Sequence, residues 1–201
     1  MAGRFITLEG GEGAGKSTQA VMLADALVER GLPVLRTREP GGAPGAEVLR
    51  GLLLDGSVVW STSAEVMLHF AARAEHVEKT IRPALAAGMW VVCDRFFDST
   101  LAYQGYGLGA DRDAIARLIE LLGIVPDVTL VLDVSEAVAA ARQAQRGIAP
   151  DRYERMDAAF HARVRQGFRD IAAASPERCV VLAADGSELE VHAAIMRALR
   201  L

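Results

Sequence analysis

The stretch best equipped for chemistry is Gly10-Gly11-Glu12-Gly13-Ala14-Gly15-Lys16-Ser17, followed by Thr18, which fits the pattern G-x-x-x-x-G-K-[ST]. It follows the apolar run Phe5-Ile6-Thr7-Leu8 and precedes a segment with helical periodicity. Glycines let successive backbone N–H groups face one anion, and a helix N-terminus and a lysine add positive charge. The stretch therefore predicts a nucleoside triphosphate site in which Ser17 offers its hydroxyl to Mg²⁺; the alternative is a glycine-rich turn without a ligand.

A second polar pair, Asp94-Arg95, follows the nearly continuous apolar run 89–93. Such a run is typical of a strand that is buried on both faces. At the end of this strand Asp94 could hold Mg²⁺, or its water shell, opposite Ser17. Arg95 would then point to where two phosphates meet. The alternatives are an aspartate that caps a helix and an ordinary surface arginine.

Strand-like runs alternate with helical segments from end to end. The runs lie at 5–8, 33–37, 89–93, 128–132 and 180–182. This alternation predicts an α/β fold with a parallel sheet of about five strands and helices on both faces. At 201 residues, without a repeat or a linker, the chain is expected to form one domain over 1–201. Ligands of such sheets bind outside the carboxyl ends of the strands.

Local patterns give finer predictions. Thr62-Ser63-Ala64-Glu65 has the form of a capping box that opens a long helix, and Pro83 should kink or restart that helix. Residues 98–104 look helical and precede a glycine-rich loop over 105–109. A second long helix is expected from Tyr153 to Ala174.

Composition narrows the function classes. The net charge of −4 argues against a general nucleic-acid-binding surface. No apolar run approaches the roughly 18 residues of a membrane span, and no signal peptide is visible. Cys93 and Cys179 lie in apolar runs and suggest buried thiols, so a cytoplasmic location is expected. His76, His161 and His192 show no ligand spacing and are expected to be ordinary helix residues.

Two longer segments carry a resemblance. T-R-E-P-G-G at 37–42 and D-R-x-x-D-S-x-x-A-Y-Q-G at 94–105, together with the glycine loop, resemble the thymidylate kinase family, in the family's order over nearly the whole chain. The resemblance implies a P-loop NTPase fold and the reaction ATP + dTMP → ADP + dTDP, which serves dTTP synthesis with Mg²⁺ as cofactor. It also implies a homodimer, for which the apolar helices at 64–77 and 111–122 could serve.

Glu12 is unusual in an anion-binding loop because a carboxylate repels the anion. It is tolerable if it faces a hydroxyl, a metal-bound water or an arginine, and the resemblance assigns it to the sugar hydroxyl of the acceptor nucleotide. Gly13 stands where part of the family has a catalytic arginine. The chain looks like the branch in which a mobile lid supplies this charge, here at about 142–154 with Arg146 and Arg152; the alternative is a solvated helix end.

The same resemblance assigns the acceptor base. Family members use an arginine on the long helix, here Arg73, and an aromatic ring that usually lies four residues earlier. His69 occupies that position and Phe70 is the next residue. Either ring could stack on the base; Phe70 is slightly favoured, with a core phenylalanine as the alternative. Thr100 and Gln104, one helical turn apart, could bond the pyrimidine edge.

The remaining acceptor contacts concern sugar and phosphate. Tyr103 resembles the family tyrosine that crowds the sugar C2′ position, and Arg38 and Arg50 are candidates for the acceptor's phosphate. Rival interpretations are a kinase for another mononucleotide or a deoxynucleoside, and a nucleotide-dependent switch or ATPase. The chain lacks the guanine-reading segment N-K-x-D, which disfavours a switch.

Overall fold

The computed structural model describes residues 3–145, 147 and 152–201. Its strands form one parallel five-stranded sheet in the order β2-β3-β1-β4-β5, as the sequence predicts. The strands are β1 (Phe5–Glu9), β2 (Val34–Arg38), β3 (Trp90–Asp94), β4 (Val128–Asp133) and β5 (Cys179–Ala183).

Helices connect the strands and cover both faces of the sheet. None among the described residues is long and apolar enough to span a membrane. Two of the helical segments are π-helical, at Val77–Ile81 and Leu101–Gly107. The α-helices are α1 (Lys16–Glu29), α2 (Pro44–Leu54), α3 (Thr62–His76), α4 (Arg82–Ala86), α5 (Phe97–Thr100), α6 (Arg112–Leu122), α7 (Glu136–Gln145), α8 (Ala158–Ala174) and α9 (Glu188–Leu199).

The two faces of the sheet contribute to separate hydrophobic clusters. Along β1, Ile6 and Leu8 pack into a cluster with residues of α1 and α9, whereas Phe5 points the other way into a cluster with Phe96. This alternation follows from the two-residue period of a strand. Both faces of the central strands are buried, which explains why their sequences are continuously apolar.

Most helix ends follow the sequence signals. Pro83 lies in the first turn of α4, where the long helix restarts after its π-helical turn, as predicted. Ser187 and Glu190 form a capping box at the start of α9. The capping box predicted at 62–65 is wrong: Ser61 caps α3 by accepting from the Ala64 N–H, and Glu65 points inward with no exposed surface.

Two predicted boundaries also differ. The expected glycine-rich loop at 105–109 is helical up to Gly107, because this segment packs closely on α8. A Cβ on Gly107 would lie 2.5 Å from the Phe160 ring, so only glycine permits this approach. The helix expected from Tyr153 begins at Ala158 instead, where the Asp157 side chain accepts from the Phe160 N–H.

Candidate functional site

A cavity of about 800 Å³ opens at the carboxyl edge of the sheet, where the sequence predicts ligand binding. The phosphate loop from Glu12 to Thr18 forms one side of it, with Gly186 to Glu188 beside the loop. The opposite side is formed by polar residues from the loop after β2, from α3 and from the segment after β3: Arg38, His69, Arg73, Arg95, Thr100, Tyr103 and Gln104. The cavity therefore has a glycine-rich half and a half made of charged and polar side chains.

The glycine loop has the backbone geometry of an anion site. Gly10, Gly13 and Gly15 have φ values of 138°, 72° and 87°, which L side chains rarely adopt. A Cβ on Gly13 would also lie 2.7 Å from the carbonyl oxygen of Ala139. A larger residue therefore does not fit at position 13 in this backbone, and part of the family that the chain resembles has an arginine there.

Lys16 closes this loop. Its Nζ donates to the carbonyl oxygens of Gly10 at 3.0 Å and Gly11 at 2.7 Å. Burial lowers the pKa of Lys16 to about 8, and the charge of Arg95 acts in the same direction. A bound triphosphate would supply the opposite charge that this buried ammonium group lacks.

Ser17 and Asp94 meet as the metal interpretation requires. The Ser17 hydroxyl donates to Asp94 Oδ2 at 2.5 Å, although the two residues are 77 positions apart. Asp94 Oδ1 is buried and has no hydrogen-bond partner among the described residues. A hydroxyl beside a carboxylate with an unused oxygen fits Mg²⁺, which prefers oxygen ligands and keeps part of its water shell.

Arg95 links the two halves of the cavity. Its φ of 70° is unusual for a residue with a side chain. The guanidinium contacts Glu12 at 2.5 Å, Tyr103 at 3.2 Å and the carbonyl oxygen of Gly10 at 3.3 Å. The Tyr103 hydroxyl donates to Glu12 at 2.8 Å. Glu12 thus faces an arginine and a hydroxyl, the surroundings in which its negative charge is tolerable.

Glu9 is a buried carboxylate close to the charge of Arg95, and no motif in the sequence predicts its role. Its carboxylate accepts from the Phe96 N–H at 2.7 Å and from the Ser99 hydroxyl at 2.5 Å, which ties the end of β1 to the segment after β3. Burial raises the pKa of Glu9 to about 8, and the nearby charge of Asp98 acts in the same direction. Ser99 in turn accepts from Arg95 at 3.2 Å.

Arg73 is anchored by a buried carboxylate in the polar half. Its Nε donates to Glu39 Oε2 at 2.6 Å, and His76 contacts the other oxygen of Glu39 at 2.9 Å. All three side chains are at most 3% exposed. The interpretation of His76 as an ordinary helix residue is therefore incomplete. Glu39 lies in the segment 37–42 that carries the resemblance, but its partners come from a distant helix.

The two terminal nitrogens of Arg73 differ in their hydrogen bonding. Nη2 donates to the Thr100 hydroxyl and to the carbonyl oxygen of Phe96, both at 3.1 Å. Nη1 is buried and has no partner among the described residues. A buried donor without a partner is costly, so this nitrogen is suited to an acceptor atom of a ligand.

The two candidate stacking rings are separated by the helix geometry. His69 lines the cavity, whereas Phe70 packs in a cluster with Val66 and Ile115 and is not part of the cavity wall. This placement favours His69 over Phe70 as the stacking ring and matches the alternative of a core phenylalanine. Adjacent helix positions differ by about 100°, so the two rings point in different directions. Phe70 contributes indirectly, since the Arg73 guanidinium lies 4.8 Å from its ring centre.

A buried polar cluster surrounds Glu65. Tyr153 donates its hydroxyl proton to Glu65 Oε1 at 2.8 Å, and Gln104 Nε2 donates to the same oxygen at 2.9 Å. Arg152 contacts Oε2 at 2.5 Å. Sequence reasoning missed Glu65 as a site residue because its spacing also fits a capping box.

The remaining predicted arginines differ in placement. Arg50 Nη1 donates to the carbonyl oxygen of Pro40 at 2.6 Å, and Arg38 reaches the same oxygen at 3.3 Å. Arg146 lies outside the described residues. Arg142, which the sequence did not single out, donates to the carbonyl oxygens of Gly13 and Gly186 and thereby joins both walls of the triphosphate half.

Comparisons with known proteins agree with this geometry. A family model described as thymidylate kinase matches residues 8–195. The thymidylate kinase of Rhizorhabdus wittichii is 56% identical over 99% of this chain and 98% of its own, and that of Chromohalobacter salexigens is 52% identical over 96% and 93%. The crystal structure of thymidylate kinase from Ehrlichia chaffeensis is similar over 100% of both chains, with a TM-score of 0.82 and 36% identity. The chain belongs to the thymidylate kinase family.

Proposed function

We propose that the chain transfers the γ-phosphoryl group of ATP to dTMP, giving ADP and dTDP for dTTP synthesis. The observation that carries this proposal is the cavity in which a glycine phosphate loop faces a second, polar pocket. A hydrolase or a switch needs the first half only. The family relationship supports the same substrates, since the matching relatives are thymidylate kinases.

The acceptor's phosphate oxygen is already anionic, so the reaction needs no general base. Catalysis then consists of alignment and charge neutralisation. Lys16 neutralises charge on the triphosphate, and Arg95 lies between the two halves, where donor and acceptor phosphates would meet. Lid arginines would add charge around the transferring group, with Arg152 and Arg146 as the candidates in the proposed lid at 142–154.

The proposed metal is Mg²⁺, held by Ser17 and Asp94 directly or through water. When bound, it would neutralise phosphate charge and fix the triphosphate in one orientation. The protein's own part is to hold the Ser17 hydroxyl against Asp94 Oδ2, while Oδ1 of the same carboxylate has no partner among the described residues.

The acceptor nucleotide is proposed to lie along the polar half. Arg73 would donate to a carbonyl oxygen of the base, with Thr100 and Gln104 beside it and His69 against the ring. Glu12 and Tyr103 would face the sugar; both line the cavity, and the Tyr103 hydroxyl bonds both Glu12 and Arg95. Arg38 and Arg50 would contact the acceptor's phosphate; both line the cavity and bond the carbonyl oxygen of Pro40.

One experiment separates this function from its rivals. Initial rates of phosphoryl transfer from ATP are measured with dTMP, dUMP, dCMP, AMP and thymidine, and ATP hydrolysis is measured without acceptor. We expect the highest kcat/KM with dTMP and slow hydrolysis. A higher kcat/KM with another acceptor would assign a different kinase, and hydrolysis that no acceptor stimulates would assign an ATPase or a switch.

We also propose that the chain is one domain, works in the cytoplasm, binds neither membranes nor nucleic acid, and forms a homodimer. Met67 on α3 and Leu121 on α6 are 65% and 82% exposed, and these two helices are neighbours. Large apolar side chains on adjacent exposed helices support a contact with a second copy. Sedimentation equilibrium of the wild type and of Met67→Glu tests it; we expect a dimer that the substitution weakens, and a monomeric wild type would contradict it.

A further inference from the structure

Glu65 is fully buried, yet it is not the group that would touch the base. It lies near the start of α3, and its carboxylate accepts hydrogen bonds from Gln104 and Tyr153 and forms an ion pair with Arg152. Paired with a guanidinium at 2.5 Å, the carboxylate is an acceptor only. Every neighbour must therefore turn a hydrogen towards it.

This requirement fixes the amide of Gln104. Because Glu65 can only accept, the Gln104 Nε2 group must face it, and the 2.9 Å contact agrees. Gln104 Nε2 also donates to the Tyr153 hydroxyl oxygen at 3.0 Å, while Tyr153 gives its own proton to Glu65. The amide carbonyl oxygen of Gln104, whose side chain lines the cavity, remains for a ligand.

The same constraint reaches His69. Burial lowers the pKa of His69 to about 3, with the positive charge of Arg73 acting in the same direction, so the ring is neutral. Its Nε2 lies 3.1 Å from the Tyr153 oxygen. Since the Tyr153 proton is directed to Glu65, His69 Nε2 must be the donor, and Nδ1 carries no proton. Glu65 thus sets hydrogen positions two side chains away.

Arg73 supplies a hydrogen-bond donor that complements the carbonyl oxygen of Gln104. Its Nη1 is a buried donor that has no partner in the part of the chain that the structure describes, and its Nη2 is held by Thr100, one helical turn before Gln104. Among the described residues, Arg73 therefore offers the pocket a donor, and Gln104 offers it an acceptor. A base with a ring N–H beside a carbonyl oxygen matches this pair, and a base with a bare ring nitrogen beside an amino group opposes it at both atoms.

We propose that Glu65 is a specificity-determining residue, which orients the Gln104 amide so that the pocket accepts the N3–H and O4 of thymine or uracil and rejects cytosine. Glu65 acts through Gln104 and touches no substrate atom. This inference rests on the proposed pyrimidine acceptor and assigns the residue that sets its hydrogen-bond polarity.

Glu65→Gln tests the proposal. An amide at position 65 can donate as well as accept, so the Gln104 amide is free to turn over and present its NH₂ group to cytosine. Dissociation constants of dTMP and dCMP are measured by calorimetry without ATP. We expect the dCMP/dTMP ratio of dissociation constants to fall at least about tenfold, the effect of one hydrogen bond made or opposed. An unchanged ratio overturns the proposal.

Exchanging the residues at positions 65 and 104 distinguishes a change in the pocket's hydrogen-bonding groups from structural damage. The double variant E65Q/Q104E keeps the net charge, removes the same carboxylate from Arg152 as the single variant, and again places an acceptor oxygen in the pocket. We expect it to recover most of the wild-type discrimination. Failure to recover it, in a variant whose thermal unfolding is cooperative, overturns the proposal in favour of a packing or lid role.

One further variant completes the test. Tyr153→Phe removes the bridging hydroxyl but leaves the direct contact between Glu65 and Gln104, so the dCMP/dTMP ratio should remain within about threefold of the wild type. If Glu65→Gln does not fold, the charge-conserving double variant alone decides. A wild type that does not bind dTMP would refute the proposed function, whereas a selective wild type with an equally selective Glu65→Gln variant would refute this inference alone.

Discussion

The two halves of the cavity are built in opposite ways. The triphosphate half uses a contiguous stretch, Gly10 to Ser17, in which backbone N–H groups and one lysine face the ligand. The polar half uses charged and polar side chains, most of them buried, from the loop after β2, from α3, from the segment after β3 and from residues 152–153, and these are already paired with one another. A backbone site tolerates sequence change around it, whereas a network of buried charges depends on each member. We therefore expect donor-side changes to alter rate and acceptor-side changes to alter recognition.

Lys16→Ala gives the largest expected effect. It removes the charge that lies against the triphosphate, and we expect kcat to fall about 10³-fold. Thermal unfolding should remain cooperative, because Lys16 bonds only carbonyl oxygens of its own loop. Single-turnover transfer from ATP measures the change. A loss smaller than tenfold would break the assignment of the donor half.

Glu39→Gln tests the polar half. Removing one charge from a buried pair leaves Arg73 uncompensated, so we expect KM for dTMP to rise about 100-fold and unfolding to become about 3 kcal/mol easier. KM for ATP should change less than threefold. The control is Glu78→Gln, which removes the exposed ion pair with Arg82 and should cost less than about 1 kcal/mol. Equal effects on both substrates would contradict the separation of the halves.

Glu9 lies near residues of both halves, and its raised pKa predicts a pH dependence of stability. Its pKa is about 8 in the folded chain, above the ordinary 4.5, so the folded state holds this proton more tightly than the unfolded state. The associated stability is present below pH 4.5 and is lost as the pH rises towards 8. We expect the wild type to lose about 2 kcal/mol more than Glu9→Gln between pH 5 and pH 8, after allowance for relaxation of the site.

Urea unfolding of both proteins at several pH values measures this difference. Glu29→Gln, an exposed change at the end of α1, is the control and should follow the wild type. Parallel curves for the wild type and Glu9→Gln would show that Glu9 keeps an ordinary pKa.

The smallest expected effect is the fall of kcat/KM for ATP at high pH. The pKa of Lys16 is about 8 without a ligand, so the charged form is lost above that pH. We expect kcat/KM for ATP to fall about tenfold per pH unit above 8. The kcat profile should fall only at higher pH, because bound triphosphate favours the charged lysine. Coincident limbs in the two profiles would contradict the link between Lys16 and the triphosphate.

The halves also differ in how far the sequence predicts them. The contact between Ser17 and Asp94 is predictable from the sequence. Ser17 follows β1 and Asp94 ends β3, and parallel strands end at the same edge of the sheet. Glu65 and Glu39 could not be predicted in the same way. Their partners lie 34 to 88 positions away, and a helix-start pattern concealed Glu65. Phe70 and His69 differ by one position, and only the rotation of α3 against its neighbours decides which ring faces the cavity.

The central claim is that the acceptor pocket binds dTMP without a bound triphosphate and without the charge of Lys16. Titration of dTMP into the nucleotide-free wild type and into Lys16→Ala tests it most directly. We expect one dTMP site per chain in both proteins, with dissociation constants that agree within about threefold. Absence of dTMP binding without ATP, or its loss in Lys16→Ala, would contradict the account.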